Sequence, residues 1–529
     1  MINSNEAFTC VIVDEAFFGA ARTGTINGIR YPVAIRPDNA EEMKNLGLDE
    51  LLQRTGIGEL SEQQDEANGD LVIGDEIIVI RNALVLAQRP KRLLSVISKI
   101  REKFGFSRLI YLPGISDPYL LPVLVYAGVS IFDLTYAILE GRTGLRYGPL
   151  GKIRTENDAS AENVTFVNRI LSDLCESISN GTLRDLVEKV TISSKSVEFI
   201  RLLDFVYHDL QEESFPRRTP SILANSLQSL SRPDITRYRD YVSKTYIRPG
   251  TAEILLLLPC SARKPYSTSR THRRLISALG NLRKYLHEVI VTSPVGLVPR
   301  DLERAYPPAF YDIPVIGQWY DEEKTMIIRM IKSYLSRNRY SNIVAFVPED
   351  LEFIVPALPE GSVYLTWEKG SEEEFQDLKE TISGIAADQH RPKRDYLREE
   401  ITSVCTYSYG QWIEPYISKC KIFSRYDRYI MLENGQSAIV YDPETGRATI
   451  GRGSAEWFLK KGKFLVEIDD FRPTSNIYPV GIVSVTEDVR PGDDVVVHCK
   501  GELRGVGTAK MPRSAMLTLK KGVAVKMRN

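Results

Sequence analysis

The chain has 529 residues, 43% hydrophobic and 26% charged, the make-up of an ordinary globular protein, which excludes a collagen-like or disordered chain. Lysine and arginine (68) balance aspartate and glutamate (69), so any nucleic-acid site has to be a local basic patch on a neutral whole. Six cysteines, at 10, 175, 260, 405, 420 and 499, form no CxxC pair, which argues against a disulfide framework or a zinc ribbon and suits a reducing compartment. The amino-terminal stretch MINSNEAFTCVIVDE has no basic-then-apolar signal pattern, and no apolar run approaches ~18 residues. A cytoplasmic protein without a membrane span is expected, with three or four domains at about 150 residues each.

Residues 1–240 alternate strand-like and helix-like segments. Phe8 to Val13, Ile77 to Ile80 and Leu109 to Leu112 are short apolar runs that predict strands. A helix-like stretch from Pro118 to Ala127 leads into VSIFDL, another strand. Repeated βα units predict a parallel sheet or barrel. Glu213 to Gly250, rich in Pro, Ser and alternating basic and Tyr residues, predicts a connector. Within it, Arg237, Tyr238, Arg239 and Tyr241 form either a solvated linker face or an RNA contact.

Residues 251–390 predict a small doubly wound α/β domain. Apolar runs recur at 254–258, Val289 to Val291, Ile343 to Val347 and Val363 to Leu365, with helical patterns between the first three. Ile254 and four leucines stop at Pro259-Cys260. Leu275, Leu279, Leu282 and Leu286 then fall at roughly helical spacing. Cys260 thus sits at the carboxyl end of a buried strand, where open α/β sheets place ligands. Ser261 to His287 carries seven cations, among them Arg263 and Lys264, and no acid. Such a charge predicts a thiol held toward thiolate, or a phosphate contact. A plain buried cysteine is the alternative.

Residues 391–460 predict a small α+β domain. A Tyr-rich helical segment is followed by hairpin signals at Glu433-Asn434-Gly435 and Pro443-Glu444-Thr445-Gly446. Residues 461–529 predict an all-β module of short strands. From Lys500 onward eight cations face one acid, Glu502. That excess points to an RNA surface carried by Lys500, Arg504, Lys510, Arg513, Lys520 and Lys521. The self-contained strand pattern predicts a module that can be removed without disturbing the rest.

Pro259, Cys260, Lys264, Pro265, Tyr266, Ser269 and His272 stand in the order P-C-x-x-x-K-P-Y-x-x-S-x-x-H. This pattern resembles the signature of archaeosine synthases, archaeal tRNA-modifying relatives of tRNA-guanine transglycosylases. Thr292-Ser293-Pro294 through GLVPRDLERAYPPAFYDIPVIGQWYDEE is similar to a second block of that family, and DFRPTSNIYPVGIVSV onward resembles a PUA domain. The segment AGVSIFDLTYAILEGRTGLRYGPLGKIR resembles the transglycosylase stretch that carries the catalytic aspartate. By that likeness Asp133 takes the nucleophile's place and Arg142-Thr143-Gly144 matches the Arg-x-Gly after it. The resemblance implies a degenerate TIM-barrel-like amino-terminal domain and a terminal PUA β-barrel. Transglycosylases hold zinc with three cysteines and a histidine, whereas this half offers only Cys175 and His208, so no metal is expected.

The resemblance further implies a substrate and a reaction. The substrate is tRNA carrying 7-cyano-7-deazaguanine in its D-arm, and an amine is added across the nitrile. Free lysine is the implied co-substrate, with glutamine as the alternative amine source, and no cofactor is expected. A radical SAM partner enzyme takes the adduct onward, and a homodimer is compatible with this picture. A nitrile has no leaving group, so Cys260 is the natural covalent catalyst, through a thioimidate. His272 or Tyr266 is placed to protonate the nitrogen, Lys264 to lower the thiol's pKa, and Ser269 to hydrogen-bond substrate. Asp133, Arg142, Arg263 and Ser293 complete the candidate substrate contacts. Two other readings stay open: a base-exchanging tRNA-guanine transglycosylase and a non-catalytic tRNA-binding protein.

Overall fold

The computed structural model describes residues 11–53, 71–368, 370–387 and 393–528. The chain divides into two compact units, residues 1–220 with 461–529, and residues 221–460.

The first unit opens with an antiparallel ribbon, Ile12–Phe18, Ala21–Ile26 and Ile29–Tyr31. Phe8 to Cys10 of the expected first strand lie outside the described residues. A five-stranded sheet follows in the order Val33–Ile35, Ile131–Asp133, Leu109–Tyr111, Ile77–Ile80, Leu71–Ile73. The first three pairings are parallel and the last is antiparallel. Ile77–Ile80 and Leu109–Tyr111 are buried throughout, as the uninterrupted apolar runs require of strands covered on both faces. Helix Pro90–Phe104 lays Leu93, Leu94, Ile97 and Ile100 into the core, at one-face spacing.

The degenerate TIM-barrel-like amino-terminal domain implied by the resemblance is not confirmed. Past Asp133 the chain turns into the consecutive helices Thr135–Arg142, Ser160–Asn180, Leu183–Val190 and Ser194–Phe205. They are interrupted only by a separate two-stranded ribbon, Leu145–Gly148 with Gly151–Arg154. A barrel needs a strand after each helix to continue the ring. Among the described residues those strands are missing, and the sheet stays open.

Residues 461–529 form a six-stranded sheet, built from the expected short strands, in the same compact unit. The module shares its core with the amino-terminal part of this unit. Phe17 and Phe106 belong to its core, beside Val466, Val495 and Met516. Arg217 pairs with both carboxylate oxygens of Asp493 (2.8 and 2.9 Å), and Arg490 pairs with Glu212 at 2.6 Å.

In the second unit a five-stranded sheet is made of β1 (Ile254–Pro259), β2 (Leu286–Thr292), β3 (Gly296–Pro299), β4 (Asn342–Val347) and β5 (Val363–Thr366), in the order β3-β2-β1-β4-β5. Pairings β1/β2, β1/β4 and β4/β5 are parallel, and β2/β3 is antiparallel. Helix α1 (Arg270–Leu279) connects β1 to β2, and α2 (Asp321–Arg337) lies between β3 and β4. The stretch expected as a connector is instead a packed helix, Pro233–Lys244. Tyr238 is fully buried there and donates to the Leu297 carbonyl, and Tyr241 bonds Thr406. Neither ring is a solvated linker face, because the helix uses them as core. Residues 396–450 add a helix (Tyr396–Tyr409) and a four-stranded antiparallel meander. Its central turn has Asn434 and Gly435 both at positive φ, as a two-residue Asn-Gly hairpin requires.

No helix among the described residues is long and apolar enough to cross a membrane.

Candidate active site

β1 is central in its sheet. Its outgoing helix leads to β2 on one side, while β4 and β5 lie on the other. The strand order therefore reverses between β1 and β4, and the crevice beyond their carboxyl ends is where such sheets bind ligands. A cavity of about 270 Å³ lies there, with Cys260, Thr292, Ser293, Trp319, Asp350 and Trp367 in its wall. Cys260 follows β1, Thr292 ends β2, and Asp350 lies three residues past β4.

The loop after Cys260 is held by charge and hydrogen bonds. Glu303 accepts from the Ser267 amide (2.9 Å) and from Arg300 Nη1 (2.8 Å). Arg300 Nε also pairs with Glu288, which accepts from Arg283 on its other oxygen. Ser269 caps α1, its hydroxyl oxygen accepting from the His272 amide at 3.2 Å. His272 is 1% exposed. Its Nδ1 lies 3.1 Å from Arg300 Nη2, and its Nε2 lies 3.1 Å from the Pro259 carbonyl. A guanidinium only donates, so Nδ1 accepts and the proton sits on Nε2, bonded to Pro259. Burial, reinforced by Arg300, pulls the imidazole pKa down to about 3. The neutral ring ties the end of β1 to α1 and has no proton for substrate at neutral pH, contrary to the acid role expected from its type.

The thiol is also unlike its sequence expectation. Burial raises the Cys260 pKa, opposed by a hydrogen bond from Thr292 and by the charge of Lys264, while Asp350 pushes it further up. The seven nearby cations do not act together. Arg274 is paired with Glu372 and Arg283 with Glu288, while Arg263 is exposed and outside the cavity wall. The charge of Lys264 does act on the sulfur. Its Nζ sits 4.0 Å over the ring of Tyr311, and burial lowers its own pKa against the pull of Cys260 and Asp312. A thiol raised and an amine lowered are brought toward each other, the condition for sharing a proton.

Behind the thiol runs a buried hydroxyl chain. Thr292 Oγ1 and Tyr311 OH are 2.6 Å apart, as are Tyr311 OH and Tyr266 OH. Burial pushes both phenol pKa values up, so both rings stay protonated. Thr292, Tyr311, Arg300 and Asp350 carry no signal in the local motif, because they lie 32 to 90 residues from Cys260 and arrive through the sheet. Thr292, Arg300 and Tyr311 do lie in the second resembling block, as does Ser293. The Ser293 hydroxyl is buried (5% exposed), lines the cavity and has no protein partner among the described residues.

The other candidates lie elsewhere. Asp133 is buried and saturated: it accepts from Tyr111 OH (3.0 Å), from the Thr135 amide (2.9 Å) and from the Gly114 amide. It clamps the strand-end turns of its sheet rather than standing free as a nucleophile. Arg142 is exposed at the end of helix Thr135–Arg142. In the terminal module Arg504 is held by Asp470 (2.9 Å) and Glu502 (2.7 Å), and Arg513 donates to the Val485 carbonyl. Lys500, Lys510, Lys520 and Lys521 make no ion pair within 4.0 Å among the described residues, so the free basic surface is narrower than the residue count implied.

Residues 235–382 match a family described as a domain of unknown function (DUF5591), and residues 470–529 match the PUA domain. A relative from Thermoplasma acidophilum, "Archaeosine synthase subunit alpha", is 44% identical over 98% of this chain and 100% of its own length. The chain belongs to the archaeosine synthase family. The same name is carried by a Methanosarcina acetivorans relative (29% identical, 90% of this chain, 84% of its own). A Haloferax volcanii "Archaeosine synthase" is 26% identical over 86% of this chain and 82% of its own length. The DUF5591 match spans the Cys260 crevice, and the PUA match covers most of the carboxyl-terminal sheet.

Proposed function

We propose that this chain works in archaeosine biosynthesis on tRNA, adding an amine, free lysine, across the nitrile of 7-cyano-7-deazaguanine in the D-arm. Cys260 is the nucleophile. The Cys260 thiol gives its proton to the Lys264 amine, and the sulfur adds to the nitrile carbon. One C–S bond forms, one π bond of the nitrile breaks, and the nitrogen takes a proton from the Lys264 ammonium, leaving a thioimidate. A neutral amine then attacks the same carbon, a C–N bond forms, the C–S bond breaks, and the thiolate leaves an amidine. The incoming amine's proton returns to the Lys264–Cys260 pair.

The other residues hold this arrangement. The Thr292–Tyr311–Tyr266 chain donates toward sulfur and steadies the anion at each departure. Ser293, with its uncommitted hydroxyl in the cavity, is suited to the nitrile nitrogen. His272 and Ser269 fix the strand end and helix start. The free lysines of the PUA module grip phosphate. The reaction needs no cofactor in this scheme, takes place in the cytoplasm, and hands its product to a radical SAM partner; a homodimer is compatible with it.

The observation that carries this reading is the Cys260–Lys264 pair at the switch-point cavity, with pKa values displaced toward one another. The test is mass spectrometry of nitrile-bearing tRNA incubated with lysine or glutamine. Cys260→Ser is expected to form no amidine and to keep its tRNA affinity. Wild-type rates in that variant would mean direct attack by the amine and a structural cysteine.

A further inference from the structure

The cavity at Cys260 is lined by three carboxylates, Glu323, Asp350 and Glu368, and among its wall residues there is no lysine or arginine. Their commitments differ. Glu323 Oε2 accepts from the Tyr320 amide and so caps α2. Glu368 is exposed. Asp350 Oδ2 accepts from Trp319 Nε1 at 2.9 Å, and Oδ1 makes no hydrogen bond among the described residues.

This acidity works against the proposed chemistry, since Asp350 is one of the groups that make the thiol harder to ionise. It also repels a polyanionic RNA. The buried Ser293 hydroxyl lines the same cavity and has no hydrogen-bond partner among the described residues. The cavity therefore holds unsatisfied polar capacity of two kinds, anionic and neutral. A guanine edge offers neutral N–H donors and matches one carboxylate; three carboxylates with no lysine or arginine in the cavity wall beside them call for a positive charge.

We infer that Asp350, with Glu323 and Glu368 lining the same cavity, binds an ammonium group on the amine donor, so that the site selects small donors carrying a second, charged amine. This rests on the reading of Cys260 as the site of amine addition. One amine of the donor is neutral and attacks; the other stays protonated and is held by carboxylate. A bound ammonium also offsets the charge that Asp350 places near the sulfur, so donor binding favours the thiolate.

The test is calorimetric titration of the full chain with cadaverine, L-lysine and 1,5-pentanediol, without tRNA. Cadaverine and lysine should bind, and 1,5-pentanediol, which carries hydroxyls in place of ammonium groups, should bind about 10- to 100-fold more weakly than cadaverine, the span of one charge-assisted hydrogen bond. Asp350→Asn should lose that same factor for cadaverine and lysine, while Asp350→Glu should retain most of it. Cadaverine failing to bind the wild type at millimolar concentration, 1,5-pentanediol matching cadaverine, or Asp350→Asn matching wild type would each overturn the inference. Cys260→Ser should bind cadaverine as the wild type does. If that variant bound normally and still formed amidine, the covalent step would fall and the ammonium site would stand.

Discussion

Arg300 presents Nη2 to Nδ1 of His272 at 3.1 Å, and this one contact fixes the tautomer, the charge and the role of the histidine. The ring is neutral, and its Nε2 proton is spent on the Pro259 carbonyl. His272 is a positioning residue for the strand end that carries Cys260.

A consequence follows for acid stability. The folded pKa of His272 is depressed to about 3, below the ordinary value of about 6.5. Its contribution is therefore fully present above about pH 6.5 and is lost as pH falls toward about 3. Across that window each pH unit removes up to about 1.4 kcal/mol. Glu288, held near pKa 2 by Arg300 and Arg283 against the opposing effect of burial, loses its share only below its ordinary value of about 4.3. His272→Gln, which can still accept from Arg300 and donate to Pro259, should flatten the stability slope between about pH 6.5 and 4.5 and leave the shape of the pH–rate profile unchanged. Urea titrations at stepped pH and rate profiles read both. Loss of one limb of the rate profile would restore His272 as an acid or base.

Lys264 and Cys260 should titrate as a pair. Burial lowers the amine and raises the thiol, and each opposes the other's shift. Lys264→Met removes the cation that favours thiolate, so alkylation of Cys260 by iodoacetamide should need a higher pH than in wild type. The amidine-forming rate should fall by ~100-fold, the lower range for losing a proton-transfer group. Thr292→Val should raise the alkylation pH less, since it removes a hydrogen bond and no charge. An unchanged alkylation profile in Lys264→Met would place the lysine outside the proton transfer.

Deleting residues 461–529 should destabilise the amino-terminal unit, not merely weaken RNA binding. The deletion strips cover from Phe17 and Phe106, each worth about 1.5–3 kcal/mol when buried, and leaves Arg217 and Glu212 without Asp493 and Arg490. Thermal unfolding of the truncated chain should therefore begin at lower temperature. Charge reversal at Lys500, Lys510, Lys520 and Lys521 tests RNA contact without that damage. Each lost phosphate contact should reduce the salt slope of tRNA affinity by roughly 0.7–0.9. An unchanged slope in the fourfold variant would move the RNA surface elsewhere.

Local order was legible in the sequence. Four leucines ended by Pro259 specify a strand covered on both faces, and the turn after it places Cys260 on the ligand edge. Asn434-Gly435 specifies a hairpin because both positions need positive φ. Such features depend on near neighbours, which any reading of the chain contains. The tertiary structure decided the rest. It assigned Ser269 to a helix cap and His272 to a carbonyl, and it paired Arg274 and Arg283 with acids from other elements. It saturated Asp133 with three donors and left the amino-terminal sheet open. It also brought Thr292, Tyr311, Arg300 and Asp350 to the site. The physical reason is that a side chain's charge and hydrogen-bonding capacity are set by its residue type, but whether they reach a substrate depends on which partners the fold delivers first. Packing of distant elements settles those pairings.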